Sequence, residues 1–166
     1  MRVLGIDPGY ARCGFGLVDS QGSRLRTVDY GVFETSAGTP FEERLLYIAD
    51  GVDALVKRFK PDVMAVEELF FARNTTTAMG TAQARGVIML SAARHEIPIF
   101  EYKPAQVKLA VTGYGRADKK QVQEMVKTLL NLRQIPNLDD AADALAVAIC
   151  QAHHGRLGQR LKGGYQ

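Results

Sequence analysis

"PDVMAVEELFFARNTTTAMGTAQARGVIMLSAARHEIPIFEYK", Pro61 to Lys103, decides the fold class. Its opening, "PDVMAVEELFF", is a short apolar run of the kind that forms a strand buried on both faces. "TTTAMGTAQARGVIMLSAARHE" follows with the composition and length of a long helix, and "IPIFEYK" returns to a β-prone pattern. A strand, a long helix and a second strand make a parallel crossover, because parallel neighbours need a connection of a dozen residues or more. The expectation is an α/β domain.

Upstream, "RVLGID", "CGFGLVDS" and "RLRTVDYGVFET" are three β-prone runs separated by turn signals at Pro8-Gly9 and "SQGS", which predicts an antiparallel meander. "PFEERLLYIADGVDALVKRF" places Leu45, Ile48, Val52, Leu55, Val56 and Phe59 at helical spacing, with Thr39 as the expected N-cap and Pro40 at the first helical position. Downstream, "PAQVKLAV", "DKKQVQEMVKTLLNL" and "NLDDAADALAVAICQAHH" are helical by pattern. No repeat or linker divides the chain, so residues 1–154 are expected to form one domain. The Gly-rich, basic stretch 155–166 is expected to be a flexible tail.

The 166 residues carry 46% hydrophobic and 23% charged side chains, which excludes a disordered polyelectrolyte, and no apolar run approaches the ~20 residues a membrane span needs. "MRVLGIDPGY" reads as a strand and not as a secretory signal, so a cytoplasmic protein with no membrane association is expected. Cys13 and Cys150 lack metal-site spacing and read as reduced core thiols. The formal charge of +3 says little until its distribution is considered. Between Glu101 and Leu130, Lys103, Lys108, Arg116, Lys119, Lys120 and Lys127 face only Glu101, Asp118 and Glu124, and the C-terminal stretch adds Arg156, Arg160 and Lys162. That half of the chain can face a polyanion or simply present solvated lysines.

The acids are harder to excuse. In "NLDDAADALAVAI", Asn137 is the expected N-cap, and Asp139 and Asp140 in the first turn suit the helix dipole. Asp143 lies beyond that turn among alanines on an otherwise apolar helix. Both Asp139 and Asp140 share a face with it, at i+4 and i+3. Asp7 ends an apolar strand, where a turn role beside Pro8-Gly9 competes with a functional one. Glu67 and Glu68 interrupt a buried strand and must point to opposite faces, and periodicity does not say which of the two joins the other acids. Carboxylates gathered in this way raise one another's pKa unless a cation compensates them. Oxygen-only donors select a hard ion such as Mg²⁺ or Mn²⁺. Two such ions suit hydrolysis of a phosphodiester.

"GIDPG", "AVEELFFARN", "QARGV", "PAQVK" and "DAADALAVA", in this order and at these intervals, resemble the RuvC family of Holliday junction resolvases over Met1 to His154. The resemblance implies a ribonuclease H-like α/β fold: a five-stranded mixed sheet, strands 1–3 antiparallel and 4–5 parallel, with helices on both faces. It implies catalytic, metal-holding acids at Asp7, Glu67, Asp140 and Asp143, favouring Glu67 over Glu68 and Asp140 over Asp139. It also implies Lys119 as a catalytic cation, a base-stacking aromatic at Phe70 beside Phe71, and DNA contacts at Arg73, Asn74, Lys108, Lys119 and Lys120. The implied activity is Mg²⁺-dependent endonucleolytic resolution of four-way DNA junctions, with Mn²⁺ as an alternative and two ions per site. The implied partners are a second copy of the chain and a branch-migration motor complex.

Paired cuts in a two-fold symmetric junction require two active sites, hence a homodimer, for which the helix Thr75–His95 offers Met79, Ala82, Gly86, Met89 and Leu90 near one stripe. Three other readings compete: a different ribonuclease H-like nuclease, an actin-like phosphotransferase built on "GIDPG" and "CGFGLVD", and a junction-binding protein without catalysis. The phosphotransferase needs a second domain for which the chain is too short, and a pure DNA binder would avoid carboxylates facing phosphate. His95, His153 and His154 read as helix-end residues.

Overall fold

The computed structural model describes residues 1–69 and 75–162, with side chains described to residue 69 and from 76 to 155. Three strands come first, β1 (Arg2–Asp7), β2 (Arg12–Gln21) and β3 (Arg24–Glu34), followed by α1 (Phe41–Phe59). The crossover consists of β4 (Val63–Glu67), α2 (Thr75–Arg94) and β5 (Ile99–Tyr102), and α3 (Pro104–Thr112), α4 (Lys119–Leu129) and α5 (Asp139–Lys162) complete the chain. The sheet order is β3-β2-β1-β4-β5. The first three strands pair antiparallel, while β4 lies parallel to both β1 and β5. This is the ribonuclease H-like arrangement that the motifs imply.

Period-two alternation divides the core into two layers. Leu4, Ile6, Cys13, Leu17, Met64 and Val66 pack against Ile48, Val52, Leu55 and Val56 of α1 and Ala84, Ile88 and Ala92 of α2. Val3, Val18 and Ala65 face the opposite way, toward Val107 and Val111 of α3, Val122 and Val126 of α4, and α5. From Ala144 to Cys150 every residue of α5 is buried, which explains a sequence apolar around its whole circumference.

How α5 gets so close to the sheet is a matter of missing side chains. A Cβ added at Gly5 would lie 2.2 Å from the Ala144 carbonyl oxygen, one at Gly14 would lie 2.0 Å from that of Asp140, and one at Gly16 would lie 2.8 Å from Leu145 Cδ2. Gly5 pairs with Gly16, and Gly14 pairs with Asp7, so the three glycines form one patch on β1 and β2. The complementary surface is the backbone of α5 from Asp140 to Ala148, with the Leu145 and Ala148 side chains. This fit seats the first turns of α5 over the end of β1.

Three boundaries differ from the sequence reading. Pro40 is the N-cap of α1 and not its first helical residue: its carbonyl accepts from the Glu43 and Arg44 amides at 3.1 Å, and its ψ of 140° is extended. For α5 the carbonyl of Leu138, not of Asn137, accepts from Ala141 and Ala142, so the helix begins at Asp139. At its other end the backbone of α5 continues past 155 to Lys162. Cys13 and Cys150 are buried and free, and no helix among the described residues is long and apolar enough to cross a membrane.

Candidate active site

The ends of β1 and β4 and the start of α5 bring the acids together. Ile6 is in register with Val66, so Asp7 and Glu67 follow side by side at the C-terminal ends of two parallel strands. Period two places Glu67 on the face of Ala65, which is the α5 face. Asp140 sits above Gly14, the β2 partner of Asp7, and Asp143 follows one turn later. A cleft beside them is lined by Glu67, Lys108, Lys119 and Asp143, with Pro104, Val107 and Val122 among its apolar walls.

The electrostatics record this convergence. Burial first, and then the charges of Glu67, Asp143 and Asp140, push the Asp7 carboxyl up to about 8 against an opposing pull from Lys119. Glu67 is raised by burial and then by Asp143, with Lys108 and Lys119 opposing. Asp143 is raised by burial, with Lys119 opposing it and Asp139 and Asp140 adding to it. Carboxylates remote in sequence therefore act on one another through space, three of them held above the ordinary range.

Both pairs of acids that the sequence left ambiguous separate in the structure. Glu67 lines the cleft, whereas Glu68 follows β4 and donates its backbone N–H to the Tyr102 carbonyl at 2.8 Å. Asp140 is half-buried near Asp7. Asp139 is exposed and points to α4, where it accepts from Gln123 Nε2 at 2.8 Å and pairs with Lys119 Nζ at 3.0 Å. Lys119 Nζ also lies 3.6 Å from Asp143 Oδ2. Although partial burial works against its charge, the Asp139 and Asp143 carboxylates raise the Lys119 pKa.

Lys108 reaches the cleft from α3, and Lys120 is exposed at the start of α4. Phe70, Phe71, Arg73 and Asn74 lie outside the described residues. Sequence reasoning missed the glycine patch at 5, 14 and 16 and the partners of Asp139. Glycines two apart in "CGFG" and again at "GID", set against an alanine-rich helix, were the available signal for the first.

Among the described residues no three His, Cys, Asp or Glu side chains stand close enough to hold one ion as they are. On the α5 side the nearby cation is Lys119. The donor chemistry nevertheless fits a hard divalent ion: all donors are oxygens, and three carboxylates keep raised pKa values although the Lys108 and Lys119 ammonium groups compensate part of the charge. A direct check of the Glu67 and Glu68 placement is nicking by single variants. Glu67→Gln is expected to lose at least about a hundredfold in rate while Glu68→Gln stays within a few-fold of wild type. The reverse ranking would transfer the role to Glu68.

Comparison with known proteins agrees with this geometry. Residues 3–151 match the family model described as crossover junction endodeoxyribonuclease RuvC. A curated crossover junction endodeoxyribonuclease RuvC of Desulfitobacterium hafniense is 55% identical over 163 residues, covering 98% of this chain and 99% of that one. The solved Thermus thermophilus RuvC structure superposes with a TM-score of 0.89 at 37% identity, covering 95% of this chain and 97% of that chain. T. thermophilus RuvC in complex with Holliday junction substrate gives 0.88 at 35% identity, with the same coverage. With its acids gathered at the strand ends, residues 3–151 matched by the family model and 98% of its length by a 55% identical relative, this chain belongs to the RuvC family of crossover junction endodeoxyribonucleases.

Proposed function

We propose that this protein is a structure-selective endonuclease that resolves four-way DNA junctions by paired, metal-dependent phosphodiester hydrolysis, in recombination and repair. The observation that carries the reading is the meeting of Asp7, Glu67, Asp140 and Asp143 beside a cleft bearing Lys108 and Lys119. Asp7, Glu67, Asp140 and Asp143 would hold Mg²⁺ or Mn²⁺, two ions per site. When bound, these ions supply Lewis acidity to the phosphoryl group and lower the pKa of water. The four carboxylates fix where that chemistry occurs. Lys119 stabilises charge that develops on the phosphoryl oxygens, a contribution made only in the transition state. Lys108 and Lys120 contact backbone phosphates, and such contacts supply most of the affinity and its salt dependence. Arg73 and Asn74 contact the junction strands, and Phe70 stacks on a base at the crossover. The products are a 5′-phosphate and a 3′-hydroxyl.

The working unit is a homodimer, so that two sites meet two opposed strands. The outer stripe of α2 supports this: Met79 is 67% and Leu90 51% exposed, Gly86 is open, and the opposite face carries the buried Ala84, Ile88 and Ala92. Apolar side chains left in solvent along one helix face mark an interaction surface. Residues 1–154 form the nuclease domain, with 155–166 as a basic extension that begins on the last turns of α5, and the protein works in the cytoplasm alongside a branch-migration motor.

A synthetic mobile four-way junction tests the reading. Wild-type protein is expected to be inert in chelator and to introduce symmetric nicks when Mg²⁺ is restored, and Asp143→Asn is expected to be inert under both conditions. Equal cleavage of linear duplex, or cleavage in chelator, would overturn it.

A further inference from the structure

The Asp139 contacts have no part in the set of four acids. Its two carboxylate oxygens are both engaged, Oδ1 by Gln123 Nε2 at 2.8 Å and Oδ2 by Lys119 Nζ at 3.0 Å. Gln123 lies one turn after Lys119 on α4, so α4 presents a donor and a cation to the same carboxylate. Asp139 and Asp143 lie one turn apart on α5, so the Lys119 ammonium stands between two acids of which only the second borders the cleft. At 3.6 Å its approach to Asp143 is the looser one. We propose that Asp139, oriented by Gln123, is a positioning residue that holds Lys119 at the mouth of the cleft and draws it off Asp143, leaving that carboxylate available to a divalent cation.

This inference rests on the proposed metal-holding role of Asp143. An ammonium that settled on Asp143 would compete with the ion for the same oxygens and would be withdrawn from the phosphate path. Asp139 gives the ammonium another resting place. Gln123 prevents the Asp139 carboxylate from turning away, because a bonded side-chain amide fixes the plane of the group it donates to. The Lys119 and Asp139 side chains are 54% and 60% exposed, so the effect is modest in size.

The test is Mg²⁺ affinity of the DNA-free protein measured by calorimetry, combined with steady-state cleavage kinetics of the junction. Asp139→Asn keeps the shape of the side chain and removes its charge. It is expected to weaken Mg²⁺ binding and lower kcat by about two- to five-fold, the range an exposed pair supports. The junction KM and the melting temperature should hold. Asp139→Glu is expected to restore most of the loss, which a merely structural defect would not show. In a Lys119→Met background the Asp139→Asn effect on Mg²⁺ affinity is expected to vanish, because no ammonium remains to be divided. Unchanged Mg²⁺ affinity in Asp139→Asn, or an equal loss with Lys119→Met already present, would overturn the inference. Asp143→Asn distinguishes this from failure of the functional reading: if it binds Mg²⁺ and cleaves like wild type, the metal site itself is misassigned.

Discussion

Asp7→Asn is expected to abolish cleavage, by a thousandfold or more, and at the same time to raise the melting temperature of the protein in chelator. Both effects come from one carboxylate. Asp7 ends β1 under the first turns of α5, where burial and the charges of Glu67, Asp143 and Asp140 push its pKa up to about 8. The folded chain therefore spends stability to hold an acid where water cannot solvate it and three neighbours repel it. Asparagine has the same shape without the charge. At neutral pH the fold must either protonate this carboxyl far above its solution value or hold it ionised among its neighbours, and sparing that cost is expected to gain roughly 1–2 kcal/mol, which moves the melting temperature of a chain this size by about 2–4 °C per kcal/mol.

The catalytic loss follows from the same removal. A carboxamide is a poor donor to a hard cation, and in the proposed metal-holding set the loss of one anionic ligand at the buried end would weaken both ion binding and charge stabilisation at phosphorus. Junction binding in Ca²⁺ or chelator should survive, because the phosphate contacts proposed above are those of Lys108, Lys119 and Lys120 and do not include Asp7. Mg²⁺ supplies a further check: it should raise the melting temperature of wild type, since a ligand that binds only the folded state stabilises it, and leave Asp7→Asn nearly unmoved. A variant that melts several degrees lower in chelator would mark Asp7 as a structural residue of the "DPG" turn, which was its alternative reading in the sequence.

Much of this was legible in the chain because strand and helix periods are local properties. The alternation in "RVLGID" and "CGFGLVDS" and the helical spacing from Leu45 to Phe59 yield β1, β2 and α1 in their observed order. The length of 75–95 gives the parallel crossover. What periodicity could not supply was which face meets which helix. It sent Glu67 and Glu68 to opposite sides without naming the side, and only the register of β4 on β1, with α5 above Ala65, places Glu67 with Asp7. The Asp139 and Asp140 choice was of the same type, because both share the Asp143 face in sequence. The structure separates the two through α4, which arrives from elsewhere in the chain and engages Asp139 through Lys119 and Gln123, while Asp140 lies over Gly14 beside Asp7. The displaced cap of α1 has a smaller cause: Pro40 adopts extended backbone and offers its carbonyl to the first turn, one residue later than its preference for the first helical position suggests.

The largest structural effect is expected at a residue with no side chain. Gly14→Ala places a methyl group where the Asp140 carbonyl oxygen already sits, 2.0 Å from the ideal Cβ position, with the Asp140 carbonyl carbon at 2.5 Å. Both obstacles are backbone atoms of a buried helix, so no rotamer change relieves them, and α5 must lift from β2 by about 1 Å or more to reach van der Waals separation. Overpacking of this kind costs about 1–3 kcal/mol or more, and here it is compounded at the patch that Gly5 and Gly16 share. The lifted segment carries Asp140 and precedes Asp143, so a misplacement of about 1 Å reaches two of the four acids and is expected to cost a hundredfold or more in cleavage. Gly38→Ala is the control. Its added Cβ comes no closer than 4.0 Å to Ser36 Oγ, and its stability should stay within about 0.5 kcal/mol of wild type. Thermal melting and junction cleavage measured on both variants decide the matter. If Gly14→Ala melts and cuts like Gly38→Ala, then α5 does not ride on the bare backbone of β2, and the means by which the fold delivers Asp140 and Asp143 to Asp7 must be sought elsewhere.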